Sequence, residues 1–240
     1  MGYKKQLHRV FKFAQRNFLG YETDVRTFSQ AGEDILVRNF FYERLQKRHS
    51  GTYVDIGAYH PFRQSNTYYL YRCGWRGLNV DPRPGIKALF TKHRPQDVTI
   101  EVAVSSVEGD IEYFCFDESP SYNTSSSEYI KKLDTQEKLS RSIKVPTKRL
   151  DTILYEQFGN KKELDFLSID IEGSEVDALR SNNWDLHRFK LIAVEIFGNS
   201  LGEISNEPAS QFLSDVGYEM FARVLLSTPG VNTVFFTDVS

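Results

Sequence analysis

Between Gly51 and Asp81 a short apolar run, Tyr53-Val54-Asp55-Ile56, carries an acid near its end and breaks at Gly57; a helical stretch follows, and then a second run, Gly77-Leu78-Asn79-Val80, ends on Asp81. Two short apolar runs joined through a helix describe a βαβ unit, because parallel strands need a crossover connection. A carboxylate near the end of each strand puts two acids along one edge of a parallel sheet.

The rest of the chain extends this unit. Strands are expected at 52 to 56, 77 to 81, 98 to 104, 164 to 170 and 190 to 197, with helical patterns at 63 to 73, 84 to 93, 150 to 158 and 174 to 182. A further capped helix, led in by Ser29 to Asp34, precedes the first strand. The alternation breaks between the third and fourth strands, where Gly109 to Phe116 and Ser142 to Lys148 both read as extended. Between them lie a turn-rich stretch, 119 to 127, and a charged helix near 128 to 140. This insertion, about 109 to 148, is either a solvated connection or a lid or binding loop. After Phe197 a helix opened by Asn206 and Pro208 closes at Gly217, and the runs 218 to 225 and 232 to 237 are separated only by Ser227-Thr228-Pro229-Gly230. So short a link demands an antiparallel hairpin. The expected fold class is α/β: a doubly wound, mostly parallel seven-stranded sheet with a C-terminal antiparallel hairpin, in one domain spanning 28–240.

A net charge of -2 gives no global basic field, which argues against wholesale binding to nucleic acid. Cys73 and Cys115 lack metal-ligand spacing and read as core thiols of a reducing compartment. No run is apolar enough to span a membrane and the N-terminus lacks a signal-peptide core, so a cytoplasmic protein is expected. Residues 1–27 read as a basic amphipathic helix, with Leu7, Val10, Phe11, Ala14 and Phe18 on one face and Lys5, Arg9, Lys12 and Arg16 on another. Such a helix packs on its own domain, on a second copy in a homo-oligomer, or on a membrane surface as a peripheral contact.

Asp55-Ile56-Gly57-Ala58 has the acid and first glycine of a nucleotide-cofactor loop but not G-x-G-x-x-G. A nicotinamide-dependent oxidoreductase needs the later glycines so that backbone amides approach a pyrophosphate. S-adenosylmethionine has no phosphate, and for it one glycine, a small alanine and a nearby carboxylate suffice. Asp55 can then face the cationic amino acid end and Asp81 can accept from the ribose hydroxyls; either could instead be a strand-end cap.

At this point a family comes into view. Gln30-Ala31-Gly32-Glu33-Asp34, Asp55-Ile56-Gly57-Ala58-Tyr59-His60-Pro61, Ser65-Asn66-Thr67, Gly74-Trp75-Arg76-Gly77 with Asp81-Pro82, and Ser168-Ile169-Asp170-Ile171-Glu172-Gly173 together resemble the FkbM family of S-adenosylmethionine-dependent methyltransferases over residues 28 to 197. The chain looks like a branch with a His60-Pro61 pair where a second glycine often stands. The resemblance implies a Rossmann-like class I methyltransferase fold and O-methylation of a hydroxyl on a saccharide or glycoconjugate, with a sugar, nucleotide-sugar or glycan as acceptor. It assigns Asp55, Gly57, Ala58 and Asp81 to the cofactor, with Gln30, Ser65, Asn66 and Thr67 lining the same pocket and Ser105 on the adenine side. Asn66 and Thr67 could equally make local bonds in a first helical turn.

Methyl transfer to a hydroxyl is an in-line displacement that needs an aligned oxygen and an acceptor for its proton. Asp170 ends the fourth parallel strand and Glu195 nears the end of the fifth, and neighbouring strands lie about 4.8 Å apart. These two carboxylates could share a divalent cation, Mg or Mn; alternatively Asp170, Glu172 or His60 acts directly as base. Glu172 could be no more than an acid at a helix start, and His60 a turn histidine. Tyr59, Tyr68, Tyr69 and Tyr122 lie near the expected mouth and suit stacking on a sugar. The rival readings are a non-catalytic Rossmann-like binding or assembly module and the nicotinamide-dependent oxidoreductase.

Overall fold

A computed structural model of the chain describes residues 26–46, 50–116, 120–132 and 139–239. The basic N-terminal helix and much of the charged helix near 128 to 140 lie outside the described residues.

In chain order the strands are β1 (Thr52–Ile56), β2 (Arg76–Val80), β3 (Val98–Ile100), β4 (Ala103–Val104), β5 (Gly109–Cys115), β6 (Arg141–Lys148), β7 (Glu163–Ile169), β8 (Arg188–Phe197), β9 (Tyr218–Leu225) and β10 (Val231–Asp238). The helices are α1 (Glu33–Asn39, continued by a π-turn over Phe40–Arg44), α2 (Tyr68–Arg72), α3 (Ile86–His93), α4 (Ser127–Lys132), α5 (Leu150–Phe158), α6 (Glu175–Arg180), α7 (Leu201–Asn206) and α8 (Pro208–Asp215).

Seven strands form one sheet in the order β3-β2-β1-β7-β8-β10-β9. All neighbours are parallel as far as β8, and β10 runs antiparallel to both β8 and β9. The expected hairpin is therefore present, with its second strand inserted between β8 and the edge.

Each central strand is buried on both faces and sends alternate residues to two cores, as the pleat requires. Val54, Leu167 and Ile192 join Leu150, Leu179 and Leu213 on one side. Tyr53, Phe166 and Leu191 meet Val37, Phe41 and Trp75 on the other.

Two local expectations are corrected. The run 98 to 104 is not one strand: Val98–Ile100 pairs with β2, whereas Ala103–Val104 pairs with β6 in a separate three-stranded sheet, β4-β6-β5. The chain leaves the main sheet because the insertion offers its own partner strand. Nor does the helix expected from residue 63 begin before Tyr68. The preceding segment wraps around the buried Arg94 guanidinium, which bonds Pro61 O (2.6 Å), Ser65 Oγ (2.7 Å) and Thr67 Oγ1 (2.9 Å). Backbone and hydroxyls committed to that cation do not start a helical ladder.

Candidate active site

The strand order reverses direction between β1 and β7, and in an open α/β sheet a ligand crevice opens at such a point. Here the two strand tips touch. Asp170 N donates to Ile56 O (3.0 Å), and Gly57 has φ 80 with its α-carbon so close to the next strand that an added Cβ would stand 1.7 Å from Asp170 O. Only glycine fits that turn.

Two chambers meet at this contact and share Gly57, Tyr59, Ser121, Asp170 and Glu172. The first holds about 520 Å³ of space, counted together with its opening to solvent. Its walls are mostly apolar, from Ile56, Val80, Pro82, Val102 and Val104, with Tyr113 supplied by the small sheet and Asp81 at the tip of β2. The Asp81 carboxylate accepts from Tyr59 N (2.9 Å), Arg83 N (2.9 Å) and Arg83 Nε (3.1 Å). The second chamber, about 1650 Å³ and open to solvent, is lined by Gln30, Gln64, Tyr122, Tyr129, Ser227 and Thr228 among others. Strain gathers here. Tyr59 (φ 40), Gln64 (φ 49) and Glu172 (φ 54) are non-glycine residues in the left-handed region, and all three line the second chamber.

On the floor stand Asp170, just past β7, Glu172 in the following loop, and Glu195 on β8, with one oxygen from each within 4.8 Å of the others. Asp170 opens into the cleft, but its other sides are walled by protein. Loss of water there, then the charges of Glu175, Asp55 and Glu33, raise its pKa to about 7. Burial, followed by the charge of Asp170, pushes Glu172 up to about 9 against a hydrogen bond from Tyr129. Glu195 is 8% exposed, and burial and the neighbouring carboxylates raise it strongly. Its contact with Asp170 raises it further and lowers Asp170.

A family model described as the methyltransferase FkbM domain matches residues 55–220, more than half of the chain. The chain belongs to the FkbM methyltransferase family. It carries a methyltransferase domain on a doubly wound sheet closed by an antiparallel hairpin. No curated protein matches the sequence significantly. Among solved structures, a TehB-like SAM-dependent methyltransferase from Corynebacterium glutamicum aligns at 13% identity over 98% of this chain and 99% of its own, with a TM-score of 0.44. The Burkholderia thailandensis 1,6-didemethyltoxoflavin-N1-methyltransferase, with S-adenosylhomocysteine bound, aligns at 12% identity over 99% and 89%, TM-score 0.45. Magnesium protoporphyrin IX methyltransferase from Synechocystis PCC 6803 with bound SAM gives 9% identity, 98% and 96% coverage and a TM-score of 0.44.

Within this FkbM domain the expected site residues separate into two groups. Gly57, Asp81, Gln30, Asp170, Glu172 and Glu195 line one or both chambers, as do Tyr59 and Tyr122. The others stand behind the wall. Asp55 is buried and accepts from Thr67 Oγ1 (2.6 Å), and burial raises its pKa to about 6. Thr67 and Ser65 hold Arg94. Asn66 Nδ2 donates to Ser168 Oγ (3.1 Å), Ala58 packs on Ile86 and Phe90, and Ser105 Oγ donates to Asp177 (2.9 Å). His60 turns away from the carboxylates: its Nδ1 accepts from Phe62 N and Arg63 N (3.3 Å each), and desolvation plus nearby arginines lower its pKa to about 4. Tyr68 and Tyr69 pack against Phe28 and Tyr42 instead of facing the cleft.

Three contributors escape a reading of the sequence. Tyr129 sits in a charged segment and shows itself only as an aromatic among polar neighbours. Glu175 reads as an ordinary first-turn acid, yet its buried carboxylate holds Ile171 N and Gly173 N (3.1 Å each) and so shapes the Glu172 loop. Arg94 reads as a basic residue ending a helix, whereas it is fully buried.

Proposed function

We propose that this FkbM methyltransferase transfers a methyl group to a hydroxyl of a saccharide or glycoconjugate. The observation that carries the reading is the pair of chambers joined at the Gly57–Asp170 contact, one mostly apolar with Asp81 at its rim and one broad and lined by amide and hydroxyl groups and tyrosines, over a common floor of carboxylates.

S-adenosylmethionine, when bound, supplies a methyl group on a positively charged sulfur. In the first chamber Val80, Pro82, Val102 and Val104 offer apolar walls for a base, and Asp81, whose four acceptor positions are taken by Tyr59 N and by Arg83 N, Nε and Nη2, accepts from ribose hydroxyls by giving up bonds to the Arg83 side chain. In the second, Gln30, Gln64, Ser121, Ser227 and Thr228 present amide and hydroxyl groups of the kind that bind sugar hydroxyls, with Tyr122 and Tyr129 as ring faces. Asp170 reaches both chambers, and a carboxyl whose pKa lies near 7 is suited to take the hydroxyl proton as the oxygen is methylated. Glu195 and Glu172, both raised by burial and by the neighbouring carboxylates, flank that acceptor.

The test is incubation with S-adenosylmethionine and a panel of nucleotide sugars and oligosaccharides. Mass spectrometry then follows S-adenosylhomocysteine and locates the methyl ether. Turnover on a sugar hydroxyl supports the reading. Methylation confined to nitrogen, carbon or carboxyl acceptors overturns the acceptor assignment, and calorimetry without S-adenosylmethionine binding overturns the donor site.

A further inference from the structure

We propose that Asp170, Glu172 and Glu195 form a binding site for one hard divalent cation, of the Mg2+ or Mn2+ class, on the floor shared by the two chambers. The three carboxylates come from three places in the fold: the tip of β7, the strained loop after it, and β8. Their nearest oxygens lie within 4.8 Å of one another. Oxygens on opposite sides of a cation with bonds of about 2.1–2.6 Å are separated by about that span. None of the ion pairs among the described residues reaches any of the three, so a lysine or arginine does not neutralise them there.

A second observation points to a ligand. Glu195 is more than nine-tenths buried, and its Oε2 has no hydrogen-bond partner. A buried oxygen of that kind needs a partner, and a cation placed among the three carboxylates provides one.

The donor set chooses the class of ion. It is all carboxylate, without the histidine or cysteine that zinc, copper or nickel sites favour, and this selects magnesium, manganese or calcium. The inference concerns the cleft of the proposed methyl transfer, but the cation site stands or falls without donor or acceptor present.

Purified full-length chain, stripped with chelator, is titrated with MnCl2 alone and followed by calorimetry and by the loss of the free Mn2+ electron paramagnetic resonance signal. One ion per chain is expected, displaced by excess Mg2+. Glu195→Gln and Glu172→Gln should each weaken binding at least tenfold, whereas Glu156→Gln, at the exposed ion pair with Lys148, leaves it unchanged. Thermal unfolding guards against misfolding: the parent midpoint should rise with Mn2+, and the midpoints of the two site variants should not. No saturable binding to the parent, or parent-like affinity in both site variants, overturns the proposal.

Discussion

Replacing Gly57 with alanine probes the contact on which the whole cleft rests. Two costs add. The backbone at φ 80 is one that L-residues adopt poorly, at about 1–2 kcal/mol. The new methyl would stand 1.7 Å from Asp170 O and 2.8 Å from Asp170 C, and these atoms cannot yield cheaply, because Asp170 N is bonded to Ile56 O at 3.0 Å. Forcing an extra carbon into packed structure costs about 1–3 kcal/mol. Gly57→Ala should therefore lose about 2–5 kcal/mol, a fall in melting midpoint on the order of 10 °C for a domain of this size. Gly85→Ala is the control: φ is 88 there, but nothing lies within 4 Å of an added Cβ, so only the backbone cost of about 1–2 kcal/mol applies. Both substitutions reduce unfolded-chain entropy alike, and any loss of capping at Gly85, which opens α3, narrows the gap. Urea unfolding of the two variants measures the difference. Equal losses would show that the β1 and β7 tips are not held in rigid contact and that this turn does not seat Asp170.

Asp55 gives a pH-dependent prediction: its pKa is raised to about 6 in the folded chain, so the fold keeps a proton that the unfolded chain sheds near pH 4. Stability from this group falls as pH rises from about 4 to 6 and stays lower above, by on the order of 3 kcal/mol; Asp55→Asn should be more stable than the parent in urea at pH 8, with the gap closed by pH 4, and a variant weaker than the parent at pH 8 would mean that Arg94 holds the carboxylate ionised. Asp81→Asn should weaken S-adenosylmethionine binding by roughly 10- to 100-fold in calorimetry, the value of a charge-assisted hydrogen bond, and an unchanged Kd would remove Asp81 from the cofactor site.

The strands and the acids at their tips are legible in the sequence because both signals are local. Tyr53-Val54-Asp55-Ile56-Gly57 carries its own strand, acid and turn, and Ser227 to Gly230 is too short for anything but a hairpin. The roles of those acids are not local. Whether Asp55 faces a ligand or a neighbour depends on Thr67, twelve residues on, and on Arg94, whose guanidinium fills the space behind β1. Periodicity has no means of marking a cation drawn into the core by Pro61, Ser65 and Thr67. The break at residue 101 is hidden for a similar reason, since 98 to 104 is extended throughout and only the presence of β6 decides that its second half belongs to another sheet.

The insertion is tied by hydrogen bonds to the loop that carries Glu172. Thr124 Oγ1 donates to Glu172 O (2.7 Å), the Ser125 and Ser174 hydroxyls bond at 3.0 Å, and Tyr129 reaches the Glu172 carboxylate. An added Cβ at Gly173 would meet Tyr129 Cβ at 3.0 Å and Ser126 Cβ at 3.3 Å, so the backbones on both sides of the seam approach as closely as glycine permits. The same segment supplies Ser121, Asn123 and Ser125 to the first chamber and Tyr122 and Tyr129 to the second. Motion of the insertion away from the sheet must therefore break the bonds that hold Glu172 at φ 54 and must alter both chambers together. The glycine of Asp170-Ile171-Glu172-Gly173 is thus explained by packing as well as by its positive φ, because it lets the insertion close over the loop that carries the acids.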